Sequence, residues 1–525
     1  MPYKKIIILL CFFILIIFDL NSQESDGQIT LPDVTTVASG DSLTIGEDNY
    51  PEYNSVENKV IREDYKPILP LTDESVIQGD FSSIEQKSDN DKINLSTFMG
   101  GGYPGSFLSD VSIAGEEVKN PYAFNFGYQG VFNYGLYNAS QGFYDNCTDI
   151  GMMKKLNGSN VESIFDIRYL NSSYGLQGLS DVYSQLLFEK VDAENSTIWD
   201  LPNNFNITLD LDGIFSNVYP LTESFSNAFV YDIYVSPDFN LSWSNEYVKA
   251  DFKVDYVFEN YENFFVNRGE ISLSGDLKIN TFYIGGQSGV VFSNKKDKDF
   301  FVIPEFNIYV KNDWLNVEGG LKTSLVSYSS LIEKYKFALL DSVTYETSDW
   351  NADIMLNIPV LSNFTINGTL GFKTTAFNNG EWNCLYNSIS SDGIYLIEQT
   401  ERTALDSRIN AIFVYEWITV EGMWNVHWLY VPGNDYRHTI ALSFDIDSDD
   451  FACGASFKAI EPLGSGIDYV PIINSEVSYK IKNNCIVILN INDIIKLFSN
   501  STRKYYTTDY VTKAGEIGLY LKVTY

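Results

Sequence analysis

The sequence predicts an all-β protein: a transmembrane antiparallel up-and-down β-barrel of about 16–22 strands, preceded by an extended acidic N-terminal segment. Three observations predict it. Apolar and polar residues alternate with period two, segment after segment, from about residue 92 to the end. Aromatic residues make up 15% of the chain, with 36 Tyr and 35 Phe, and such rings favour strands. The mean hydropathy is −0.11, as expected where each strand has one greasy and one wet face that average out.

At the N-terminus, Lys4 and Lys5 precede an unbroken apolar run over residues 6–18, and Leu20-Asn21-Ser22 offers a small residue for cleavage. Residues 1–22 therefore read as a secretory signal peptide. The alternative is an N-terminal membrane anchor, for which the run is short. Cys11 lies inside the run rather than closing it, which argues against a lipoprotein.

Residues 23–91 hold 16 Asp and Glu against 4 Lys and Arg, with Pro32, Pro51, Pro67 and Pro70. Their apolar residues show no period. This reads as a mostly disordered or extended periplasmic segment, carrying peptide motifs for a partner or serving as a solvated leader.

Residues 92–525 read as the barrel. In NNFNITLDLD, Phe205, Ile207, Leu209 and Leu211 alternate with Asn206, Thr208, Asp210 and Asp212. In YVKADFKVDYVF, Val248, Ala250, Phe252, Val254, Tyr256 and Phe258 alternate with Lys249, Asp251, Lys253 and Asp255. GEISLSGDLKIN and HTIALSFDID repeat the pattern. KNDW, DSDD and KNN read as short hairpin turns. NNGEWNCLYNSISSDG and the stretch from Asn138 to Asn160 read as long polar connectors. Tight turns at one end and long loops at the other suit a transmembrane barrel, as do strands of about 9 to 14 residues. No second long apolar run follows the signal, so a membrane-spanning form must be a barrel, which alone satisfies strand backbones in lipid.

A soluble sandwich also alternates. In ITVEGMWNVHWLYV the aliphatic residues of the apolar face lie toward one end, and Trp424, Trp428 and Tyr430 toward the other. That order predicts a lipid-facing aromatic girdle at the headgroup level.

The chain ends on EIGLYLKVTY. Glu516, Gly518, Leu521, Val523 and Tyr525 resemble the assembly signal of bacterial outer-membrane barrels: a polar residue, a Gly, alternating hydrophobics and a terminal aromatic. The resemblance implies a strand that engages the barrel-assembly machinery and then closes the barrel. Further back, Asn490, Asn492, Asp493, Tyr505, Tyr510 and Gly515 resemble the last two strands of TonB-dependent-receptor barrels, although Glu516 stands where that family often has Arg. The family carries a plug domain before its barrel, and the acidic segment is too short and polar to pack as one. Residues 33–40, DVTTVASG, are faintly similar to the peptide by which such receptors contact the energy-coupling protein.

No catalytic, cofactor or metal site is expected. His427 falls on a polar strand face and His438 beside a turn, neither in a catalytic motif. In DIDSDD, Asp450 and Ser456 stand where a calcium loop needs Gly and Glu. Cys147, Cys384, Cys453 and Cys485 form no CxxC, so zinc is unsupported and disulfide pairing stays open. The net charge of −34 disfavours nucleic acid as a partner.

The sequence thus predicts a passive or substrate-selective channel or transporter in the outer membrane of a diderm bacterium, without an energised plug. Its partners would be outer-membrane lipid, the assembly machinery and an unknown small solute. Acidic residues facing the lumen would favour cations. The alternatives are a surface barrel that binds ligands or adheres through its loops, and a secreted soluble β-rich glycan-binding protein.

Overall fold

In the computed structural model, the described residues run from 93 to 524, except 116–119, 222–229, 263, 296–297, 341–345, 390–392, 430–437, 449, 462–469, 483, 500–502, 505–509 and 513–514. They belong to one compact unit, Asn54–Tyr525. The expected signal peptide, the acidic segment and its DVTTVASG stretch lie outside the described residues.

Alternation fixes which side chains share a face, and the backbone ladder does the rest. Twenty-two strands form one sheet, each antiparallel to its neighbours. The first, Ile93–Tyr103, pairs with the last, Glu516–Thr524, from Ser96↔Thr524 to Tyr103↔Ile517. The sheet therefore seals on itself and leaves no edge with unpaired N–H and C=O groups. This is the predicted up-and-down barrel, with a strand count at the top of the expected range. The apolar faces do not pack between two stacked sheets, as a sandwich would require.

The ends of the barrel differ. At one end most connections are two or three residues long, such as 202–204, 245–247, 312–314 and 416–417. Their chemistry suits tight turns. Asn203 and Asn204 sit at φ 66° and 64°, a left-handed conformation that Asn tolerates. The side-chain oxygens of Asn245 and Asn312 accept from the backbone two and three residues on, at 2.7–3.0 Å. At the other end the connections 176–184, 326–345, 376–402 and 493–515 are long. They carry small elements of their own. A seven-residue helix, Tyr328–Lys334 (α1), is capped by Ser327, and a six-residue helix spans Ile494–Ser499 (α2). Short strands Ala338–Leu340, Glu381–Ile389 and Tyr395–Thr400 form a separate three-stranded sheet.

The outward face is apolar along the strands: Leu273 is 62% exposed, Ile308 62% and Leu519 58%. A face of this kind would be costly in water and belongs against hydrocarbon.

Three expectations need correction. The stretch Asn138–Asn160 is not one long connector, because Asp145–Asn157 is a barrel strand. Its outward face mixes Asn146 and Thr148 with Ile150 and Met152, so the contrast between faces is too weak to read. NNGEWNCLYNSISSDG is not a plain polar loop, since it contains the strand Glu381–Ile389 and buries Trp382. Two strands, Gln185–Leu201 and Phe205–Leu221, reach 17 residues, beyond the expected length. They outrun the bilayer, and their loop-side ends carry the mouth described below.

Candidate functional site

The lumen wall is built by the polar half of each alternation. In Val248–Tyr261, Ala250, Phe252, Val254 and Tyr256 point out, and Lys249, Asp251, Lys253 and Asp255 point in. The ladder then sets these inward residues side by side. Asp210 lies directly opposite Asp238, Asp238 opposite Asp255, and Asp255 opposite Glu270. A second row runs Asp166–Glu194–Asp212. Like charges directly opposite one another destabilise a sheet, so folding alone does not account for these rows.

Basic side chains partly balance them. Lys253 Nζ lies 2.5 Å from Asp238, and Lys190 Nζ 3.0 Å from Asp192. Arg168 pairs with Asp149 at 2.6 Å, and Lys373 with Asp349 at 2.9 Å. The guanidinium of Arg268 contacts Glu270 at 2.8 Å and Asp255 at 3.4 Å. Asp166, Glu194, Asp210 and Asp212 form no ion pair with the described residues. A cavity of about 560 Å³ adjoins this wall, lined by Glu270, Glu305, Asp349, Asp353 and Asp406 together with Lys322 and Lys373. Near the seam the inward face mixes Gly100, Gly102, Ser106, Gly127 and Gly518 with the stacked rings of Phe98 and Tyr520.

The loop end has a hydrophobic core of its own. Leu186, Phe188, Val218, Tyr261 and Val266 share the lumen face with Lys190 and Glu259. Against them pack Tyr328, Leu331 and Ile332 of α1, then Tyr335, Phe337, Ala338 and Leu340. Trp382, Tyr395, Ile397 and Tyr510 join from two other loops. Because the wall residues face inward, this core lies inside the mouth of the barrel. The segment 326–340 leaves the thirteenth barrel strand and packs on the sixth, seventh and ninth, about a third of the way round. It is a strap across the opening.

Polar bonds fasten the strap. Tyr328 N donates to Glu259 Oε1 at 2.7 Å, and Tyr261 Oη donates to the Leu340 carbonyl at 2.6 Å. Lys190 Nζ lies 3.4 Å from Glu333, and Lys336 pairs with Asp145. Tyr335 Oη donates to the Trp382 carbonyl at 3.2 Å, and Tyr510 Oη to that of Gly393 at 2.6 Å. Burial pushes the Tyr328 and Tyr510 hydroxyls well up, so both phenols stay neutral through the physiological range.

Such a mouth matters because of the barrel's width. Strands about 4.8 Å apart and tilted about 40° would close, at this number, into a cylinder roughly 40–45 Å across. The strap and its neighbouring loops narrow it at one end.

The site residues expected from sequence fall as follows. Glu516 and Gly518 face inward, and Leu521 lies outward. Glu516 is buried and accepts from Ser106 Oγ across the seam. Gly102 leaves the space that its carboxylate fills, since a β-carbon there would collide with it. Val523 pairs with Thr97 and Cys485. Trp424 and Trp428 are exposed toward the loop end, at 40% and 57%. Tyr430 and Tyr525 lie outside the described residues. His427 is on the lumen face, with Nδ1 2.6 Å from Asp406. The mouth core was not anticipated. Its one signal is SLVSYSSLIEKYKFALL, an apolar-rich stretch without period-two alternation.

No protein-family model and no curated protein matches this chain. Solved structures do match in shape. The FrpB iron transporter from Neisseria meningitidis superposes with a TM-score of 0.64 at 9% identity, over 83% of this chain and 82% of that one. The copper transporter OprC gives 0.63 at 7% identity, over 84% and 81%. The siderophore receptor PirA from Acinetobacter baumannii gives 0.60 at 11% identity, over 84% and 81%. The fold is that of a TonB-dependent-receptor barrel. At these identities the TonB-dependent-receptor likeness is one of architecture, and it bears out the resemblance read from the last two strands.

Proposed function

We propose that this chain is an outer-membrane channel or transporter, selective for small cationic solutes, whose lumen is narrowed by its own outer loops. The observation that carries this reading is the uninterrupted row Asp210–Asp238–Asp255–Glu270 on the lumen wall. Rings of carboxylates select cations in pores by attracting them and replacing part of their hydration. Large single-chain barrels of this kind belong to bacterial outer membranes, where 22-stranded ones are transporters. The loop-built mouth provides narrowing without an energised plug, in keeping with passive passage.

The remaining assignments follow that placement. Residues 1–22 serve as the signal peptide and 23–91 as a periplasmic segment ahead of the barrel. Trp424, Trp428 and Tyr430 belong to a lipid-facing girdle on the loop side. The strand bearing Glu516, Gly518, Leu521, Val523 and Tyr525 is the part that the assembly machinery engages.

The test is the reversal potential of the reconstituted full chain in planar bilayers under a KCl gradient. A cation-selective potential is expected, and Asp210→Asn combined with Asp238→Asn should move it toward zero. Anion preference, or no conductance from folded protein, would refute the proposal. A second reading rests on the loop 132–144, where Leu136 is 73% exposed and the Tyr137 ring stacks on Phe143 at 4.4 Å. These residues would suit ligand binding or adhesion at the cell surface. Deleting that loop should abolish such binding and leave conductance unchanged.

A further inference from the structure

From the thirteenth barrel strand to the seventeenth, one residue of each strand falls in a lateral row on the lumen wall. Glu318 lies opposite Asp353, Asp353 opposite Gly371, Gly371 opposite Asp406, and Asp406 opposite His427. Gly371 thus leaves a notch between two carboxylates whose strands stand about 10 Å apart. Asp353 leans into it, since a β-carbon on Gly371 would come within 2.8 Å of its Oδ1, and Asn351 Nδ2 donates to its other oxygen at 3.3 Å. On the far side, His427 Nδ1 lies 2.6 Å from Asp406 Oδ1. Neither aspartate has a Lys or Arg partner among the described residues.

This notch belongs to the cavity of about 560 Å³. The next row on the wall is Asn307, Gly320 and Asn351, a second glycine notch between two acceptors, and the Oδ1 of both asparagines is buried without a partner. Asp349 also lines the cavity. It is 8% exposed, Lys373 holds one of its oxygens at 2.9 Å, and the other has no partner. Buried acceptors left without a donor are costly. Beside Gly320 on the same strand, Lys322 is 53% exposed along its side chain, with Nζ 3.5 Å from Glu318, the first member of the row. Its ammonium therefore stands two strands from the Gly371 notch, again about 10 Å. Among the described residues, no three His, Cys, Asp or Glu side chains are placed to hold a metal ion. The cavity calls instead for an extended organic molecule, rich in donors, with a positive head and a tail that carries both charges.

We propose that this cavity binds a free basic amino acid, with arginine as the best fit. The inference deepens the channel reading above by naming the solute class. A guanidinium offers five N–H donors and no acceptor, and in the Gly371 notch it forms charge-assisted bonds to Asp353 and Asp406. The α-ammonium enters the Gly320 notch and supplies donors to Asn307 and Asn351. The α-carboxylate meets Lys322.

Isothermal titration calorimetry of the full chain folded in detergent, with L-arginine, agmatine and citrulline as probes, tests this. Agmatine lacks the carboxylate, and citrulline carries a neutral urea in place of the guanidinium. Arginine should bind saturably, and each analogue roughly tenfold or more weakly, the scale of a lost bond to a charged group. Asp406→Asn and Gly371→Val should each weaken arginine by a similar factor, and Lys322→Gln should bind arginine no better than agmatine. The wild-type series needs no variant, so it decides even where a variant fails to fold, judged by heat-modifiable migration on gels. No arginine binding, or equal affinity for the three probes, overturns the site. Arginine binding unmoved by both Asp406→Asn and Gly371→Val also overturns it, and puts the ligand elsewhere in the acidic lumen. Conductance in KCl separates this site from the channel reading. A cation-selective wild type that binds no arginine keeps the channel and removes the site. A wild type that ranks the three probes as expected but passes no current keeps the site and removes the channel.

Discussion

The ring of Phe337 lies flat on that of Tyr510, with centroids 3.9 Å apart and planes within 5° of parallel. The two residues come from the loops that follow the thirteenth and twenty-first barrel strands, and the stack joins those loops inside the barrel mouth. Phe337 holds this place with φ at 60°, a left-handed conformation unusual for a bulky residue. Strain of that kind persists only where the surroundings over-determine it.

Replacing Phe337 with Gly therefore isolates the ring, because Gly accepts the same backbone conformation. Losing a buried Phe side chain costs about 3–5 kcal/mol. The cost should fall on the mouth alone. Hydrogen exchange should accelerate over residues 328–340 and stay unchanged in the strands on the far side of the barrel. A uniform rise across all strands would show that the mouth core is not a separate unit.

The outward face sets a second expectation. Leu273 stands outward in the middle of its strand, and its neighbour Ser274 faces the lumen with its hydroxyl on Asp251 at 3.3 Å. Leu273→Arg should destabilise the barrel by about 2–4 kcal/mol in urea titrations of protein folded into liposomes. Ser274→Arg, placed beside a carboxylate in the lumen, should cost far less. Equal effects would mean that the outward face does not meet lipid.

The seam between first and last strands gives a third. A β-carbon on Gly100 would fall on the Leu519 carbonyl and the Tyr520 ring, which itself stacks on Phe98 at 5.3 Å. Gly422 has nothing within 4 Å of that position. Gly100→Val should block closure, and the protein should migrate on gels as the unfolded form even without heating. Gly422→Ala should assemble normally.

The acidic row gives a fourth. Asp210 faces Asp238 and forms no ion pair with the described residues. Removing its charge relieves a like-charge contact worth a few tenths of a kcal/mol to about 1 kcal/mol. Asp210→Asn should thus be as stable as the parent or slightly more so, yet less cation-selective in reversal-potential measurements. A stability loss above about 1 kcal/mol would indicate a structural role for this carboxylate instead.

Much of the barrel is legible in the sequence, for a physical reason. Where water lies on one side of a strand and hydrocarbon on the other, the two environments write themselves onto alternate residues. The segment VKADFKVDYVF therefore reads as the strand it is, and EIGLYLKVT as the closing strand. Asp145–Asn157 escapes because its outward face is half polar. The acidic lumen is legible in kind, since Asp210 and Asp255 fall on polar faces. Their opposition is not, because register between neighbouring strands depends on turns and backbone pairing. The mouth core is illegible for another reason. It is assembled from the barrel wall and three loops far apart in the chain, and no local pattern announces that Leu186, Tyr328, Trp382 and Tyr510 will share one interior.

The pairing of Ile93–Tyr103 with Glu516–Thr524 has a consequence for biogenesis. The first barrel strand must wait, without its second partner, while more than four hundred further residues are synthesised. No nascent fragment ending before the closing strand can become a watertight vessel, however well its earlier hairpins have formed.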